Sequence, residues 1–165
     1  MLNILHDKIN AICPISCLYD SGDGEFRIDY IEQPTEIQLQ QINVLLQGWP
    51  LEKTKLNKIN QLDLDWNNQL KNGWVTPYGW SLGLKTEDVT LLSGAFILAK
   101  EAATLGINEP TFIVDTSGVP HNLTLQEMTP LMLQYGQARG ALSAWYAQKL
   151  KDINDATTIE EVNNI

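Results

Sequence analysis

Three stretches of the chain carry residue types that could do chemistry. The first is Asp115-Thr116-Ser117-Gly118, preceded by the apolar run Phe112-Ile113-Val114. An apolar strand entering Asp-Thr/Ser-Gly is the pattern of the aspartic proteases, whose chemistry needs two carboxylates sharing one proton. This chain has one copy, and serine follows Thr116 where that family has glycine. The same residues are sufficient for a turn between two short strands. A hydrolase centred on Asp115 is therefore a remote alternative. The second stretch, Asp20 to Glu25, alternates acids with glycines like a calcium loop, but glycines fall on early ligand positions and no glutamate closes the loop at the twelfth. A hairpin turn explains it better. The third is Cys13-Pro-Ile-Ser-Cys17. A zinc site needs a second ligand pair, and His6 and His121 are far apart in sequence. Two free thiols are expected. His121 has no serine or cysteine nucleophile assigned by spacing, and there is neither a phosphate-binding glycine loop nor a nucleophile elbow. The catalytic and metal inventories are empty, and no cofactor is expected.

The remaining chemically suggestive residues are aromatic. Trp66, Trp74, Tyr78, Trp80, Trp145 and Tyr146 are more than a segment of this size needs for its core. Trp and Tyr are enriched where proteins meet, so Trp74, Tyr78, Trp80, Trp145 and Tyr146 are the candidate protein-interface residues.

Composition limits the partners. The 165 residues carry a net charge of −9, with 44% hydrophobic and 19% charged residues. Residues 1–50 hold seven acids against Lys8 and Arg27, and the rest of the chain is also net acidic. A nucleic-acid partner needs a cationic stripe to displace counterions, and an anionic membrane surface needs the same, so neither is expected. No run approaches the roughly 20 apolar residues of a membrane span, and residues 1–12 do not read as a secretory signal. Synthesis in a cytoplasm is expected.

The elements that must position these residues are legible from periodicity and punctuation. Leu2, Leu5, Ile9 and Ile12 mark a helix ended by Pro14. Residues 15–20 and 25–31 read as strands around the turn residues Ser21 to Gly24. Thr35 and Gln38 open a helix that Gly48 can close, and Trp49-Pro50 is the boundary candidate. A helix from 51 to 71 stops at Asn72-Gly73. A glycine- and aromatic-rich hairpin or loop spans 74–84. A helix capped by Thr86 runs to Gly106. Strands are expected at 111–115 and 119–123, around the Thr116-Ser117-Gly118 turn. Thr124 and Glu127 cap a helix over 125–154, with Pro130 either kinking it or marking its true start. Gly136, Gly140 and Ala144 form a small-residue stripe that would admit another helix. Thr158 and Glu161 cap a final turn. The fold class is α+β: a small α–β–β–α lobe over 1–49, then a mainly helical domain with short hairpins over 51–165.

Residues 52–165 resemble a helical domain of unknown function found in tail-fibre and tail-associated proteins of tailed bacteriophages. The resemblance is carried by Ile59 through Gly73-Trp74, by the hairpin leading to Leu84 with Asp88, Leu92 and Gly94, by Phe112 through Leu123-Thr124 and Glu127, and by the closing Lys151, Ile153 and Ala156-Thr157-Thr158-Ile159-Glu160-Glu161. Pro130 departs from the family's uninterrupted helix. The N-terminal lobe is similar to leader regions of small phage tail proteins. The resemblance implies a non-enzymatic structural or adaptor protein of the baseplate or tail-fibre attachment, located in the virion tail, homo-oligomeric, and partnered by other tail proteins. A tail-fibre assembly chaperone absent from the finished particle is the alternative it leaves.

Overall fold

A computed structural model describes residues 1–21 and 25–165 and shows an α+β fold. The expected turn and the calcium-loop alternative at Gly22-Asp23-Gly24 lie outside the described residues. The chain forms two compact units. One comprises Met1–Asn60 with Asp152–Ile165, the other Gln61–Lys151.

In the first unit, helix α1 (Leu2–Ile12) precedes the antiparallel pair β1 (Ile15–Asp20) and β2 (Phe26–Tyr30). Leu5 and Ile9, one turn apart on α1, are fully buried with Cys13, Ile15, Leu18, Ile42 and Trp49. Phe26, Ile28 and Tyr30 lie on the β2 face that packs against them. Cys13 is buried and Cys17 exposed, and both are free thiols.

Helix α2 (Glu36–Asn72) corrects the expected break at Gly48 and Pro50. Its capping box is present: the Gln38 N–H donates to Thr35 Oγ1 at 3.3 Å, and the Thr35 N–H donates to Gln38 Oε1 at 2.8 Å. It then runs unbroken through Trp49-Pro50. A proline inside a helix forfeits one hydrogen bond and crowds the preceding turn, at a cost of about 3 kcal/mol. Burial of Ile42 and Trp49, both ahead of Pro50 on the same helix, offsets a cost of that size, because each large apolar side chain taken out of water contributes roughly 1.5–3 kcal/mol. The seam between the units therefore falls inside α2 rather than at residue 50. The C-terminal residues 152–165, expected in the helical domain, belong to the first unit. There they include helix α5 (Ile159–Asn163), whose Val162 is fully buried and whose start is fixed by Thr158 and Glu161.

In the second unit α2 ends at Gly73, whose φ of +76° and close approach to the Leu82 backbone suit a residue without Cβ. A short hairpin follows, β3 (Trp74–Val75) and β4 (Ser81–Leu82). Helix α3 (Thr86–Thr104) begins one residue earlier than a Thr86 cap would place it. Lys85 is the cap position, and its N–H donates to Asp88 Oδ2 at 3.0 Å. Leu105 to Ile107 close it with reverse hydrogen bonds onto Ala102 and Ala103. The hairpin β5 (Thr111–Val114) and β6 (Pro120–Leu123) leads into α4 (Leu125–Asp155). Helix α4 starts at its Thr124–Glu127 capping box and runs through Pro130. Met128, Leu131, Tyr135 and Leu142 form its buried stripe with Leu92, Ile113 and Leu123. The expected role of Gly136, Gly140 and Ala144 is not met. These residues are exposed, and a Cβ at either glycine would have nothing within 4 Å.

Candidate functional site

Asp115 sits at the turn of the β5–β6 hairpin. Its Oδ1 accepts the N–H groups of Ser117 at 2.8 Å and Val119 at 2.9 Å, while Oδ2 lies 2.9 Å from His121 Nε2. The bond to His121, then the Val119 and Ser117 N–H groups, hold the carboxyl below its ordinary value. A carboxylate ionised and committed to three donors closes a turn. The protease pattern needs instead a pair sharing a proton. Among the described residues the groups hydrogen-bonded to the Asp115 carboxylate are the Ser117 and Val119 N–H groups and the His121 ring, and three residues of the His, Cys, Asp and Glu types do not gather in a metal-holding cluster.

The aromatic candidates separate into distinct settings. The Trp80 ring is stacked on His121 at 4.2 Å and on Tyr78 at 5.9 Å, giving a ladder of three rings that ends at Asp115. Trp74 is half-buried, edge-on to Tyr135 at 6.4 Å, and lines a shallow recess with half-buried Trp145. Tyr146 is half-buried apart from these, 4.9 Å from Trp66, with its hydroxyl donating to Asp63 Oδ1. Hydrogen bonding to the Asp63 carboxylate raises the Tyr146 pKa. Tyr78, at 48%, is the exposed member of the five. Rings of Trp66, Trp74, Trp80 and Trp145 pack against the core.

The larger apolar surface lies elsewhere. Between α3 and β5 runs a cleft of about 430 Å³. Leu91 and Leu98 on α3 are 73% and 69% exposed, and Phe112 and Val114 on β5 are 63% and 50% exposed. At one end Gly83 brings its backbone against the Asp88 carboxylate, where a Cβ would collide. The Tyr135 hydroxyl donates to the Gly83 carbonyl at 2.7 Å, and burial pushes its pKa up to about 12. Asp88 is the charged side chain lining the cleft, and Thr90, Thr111 and Tyr135 are its hydroxyl-bearing ones. Reading the sequence for aromatics missed this surface. The signal was present: α3 is apolar on more than the one face a surface helix buries (Leu91, Leu92, Ala95, Phe96, Ile97 and Leu98), and Phe112-Ile113-Val114 is apolar on both faces of a strand.

No helix among the described residues is long and apolar enough to cross a membrane. No family model, no curated protein and no solved structure matches the chain.

Proposed function

We propose that this chain is a structural or adaptor protein of a bacteriophage tail, at the baseplate or tail-fibre attachment, that acts as a homo-oligomer through protein–protein contacts and without chemistry of its own. The observation that carries the protein-binding part of this reading is the exposed apolar cleft between α3 and β5. Four large apolar side chains there stand half or more in solvent around a concave surface. Contiguous apolar surface of that kind marks an interaction site, whereas scattered single residues do not. The tail assignment rests on the resemblance carried by residues 52–165.

Mass spectrometry of purified virions tests the assignment. Recovery in fixed proportion to known tail proteins is the expected result. Absence from clean particles would overturn it in favour of an assembly chaperone, which binds the fibre and then departs.

A further inference from the structure

We infer that the outer edge of β5 is a docking strand for an extended peptide segment of another protein, one with apolar side chains at alternate positions and a lysine or arginine at the end that meets Asp88. The inference deepens the reading above only in taking the chain to act by binding protein.

The backbone alternation shows why. In an antiparallel pair, residues take turns in bonding to the partner strand and facing away from it. The Asp115 N–H donates to the Val119 carbonyl at 3.0 Å, so the Asp115–Val119 pair is a bonded one. Counting along the register, Ile113–His121 and Thr111–Leu123 are bonded too. The N–H and C=O groups of Phe112 and Val114 therefore point away from β6. Pro120, which has no N–H to give, stands opposite Val114 at a position where none is required. The sheet has two strands, so β5 carries no second neighbour, and no other backbone group among the described residues meets Phe112 or Val114.

The next group of the same parity shows where this edge leads. The Thr116 N–H donates to the Ser81 carbonyl at 2.9 Å. The edge is paired there and open from Val114 onward, beside the cleft that Leu91, Leu98 and Ala95 wall on the α3 side. Strand addition to such an edge draws affinity from main-chain hydrogen bonds and specificity from pockets for alternate side chains. The cleft supplies the apolar pockets. Charge selects the occupant: Asp88 is the acidic side chain lining the cleft, half-buried, with Oδ2 held by the Lys85 N–H. A cation on the peptide completes it. The chain's net charge of −9 favours approach of the same class of segment.

The experiment is a selection of random octapeptides on the immobilised full chain, followed by hydrogen exchange of the labelled chain with a recovered peptide. The expected sequences alternate apolar residues and carry Lys or Arg at one end. The expected exchange result is a slowing of about tenfold or more at the Phe112 and Val114 amides. Asp88→Asn should weaken these peptides about fivefold and leave their uncharged analogues unchanged. Leu98→Glu, a surface change that leaves folding intact, should abolish binding. Val114→Pro, which removes an outward N–H, should do the same without disturbing the β5–β6 bonds. Failure to recover any octapeptide, or recovery of peptides that leave both amides unprotected, overturns the inference. Protection of both amides that rises with protein concentration alone would assign the edge to a second copy and overturn it as well. Absence from virions with peptide binding intact would sink the tail assignment and leave the docking strand standing.

Discussion

At the scale of single residues, the hydrogen bonds around Asp115 and Tyr135 have consequences for pH. The folded state lowers the Asp115 pKa below its ordinary 3.8. Its contribution to stability is therefore complete above pH 4 and is lost as pH falls through the lower, folded value. Glu127 and Glu161, lowered by the N–H and hydroxyl groups of the threonines they cap, act in the same direction. Melting temperatures measured from pH 5 to pH 2 should fall less steeply for Asp115→Asn than for the wild type. An identical slope would show that the turn does not depend on the charge. Tyr135 has the opposite dependence. Its pKa is raised from 10.0 to about 12, so the unfolded chain ionises first, and stability should decline as pH rises from 10 towards 12. Tyr135→Phe removes that decline and leaves the Gly83 carbonyl without its donor. In neutral urea it should cost about 1–2 kcal/mol. Neither pair could have been read from the sequence. His121 and Asp115 are six apart, Tyr135 and Gly83 fifty-two, and only the folded hairpin and helix bring their atoms together.

At the scale of elements, the caps and turns were legible because their signals are local. Thr35–Gln38, Thr124–Glu127 and Thr158–Glu161 each reciprocate across three residues, and each opens the helix expected of it. The Asp115-Thr-Ser-Gly118 turn and its flanking strands formed where the pattern placed them. The helix expected over 125–154 formed through Pro130, but Pro50 misled for a physical reason. A proline's local penalty is visible in the sequence, but the tertiary burial that offsets it is not. The Gly136–Gly140 stripe misled in the other sense, since small residues permit a close approach without requiring one. Glycine's role at Gly73 can be tested against Gly118, because both have positive φ but a Cβ at Gly118 meets open space. Gly73→Ala adds a collision with the Leu82 backbone and should destabilise by about 2–4 kcal/mol, against about 1–2 kcal/mol for Gly118→Ala. Urea midpoints would measure both, and equal losses would remove the steric explanation.

At the scale of the whole molecule, the division into two units crosses two helices. Helices α2 and α4 each contribute residues to both, and the seams at Asn60–Gln61 and Lys151–Asp152 lie within helical backbone. A protease needs several residues of extended chain, which a helix interior does not offer. Limited trypsin digestion should leave the bond after Lys151 intact while the folded chain persists, although a lysine stands there. Early cleavage at Lys151 would show that α4 frays at the seam. Sequence reading placed its boundary at Pro50 because punctuation is the signal for a linker, and this chain joins its units without one.

The two edges of the β5–β6 hairpin also differ in what they can recruit. On β6 the outward-facing positions are Pro120 and Asn122, and proline leaves the first of them with no donor. A strand laid on β5 would make a three-stranded sheet whose far side is blunted, so growth has a terminus built into the covalent chain. Recruitment through β5 would then be stoichiometric, one segment per copy, and a surface that invites strand pairing would be kept from seeding a fibre.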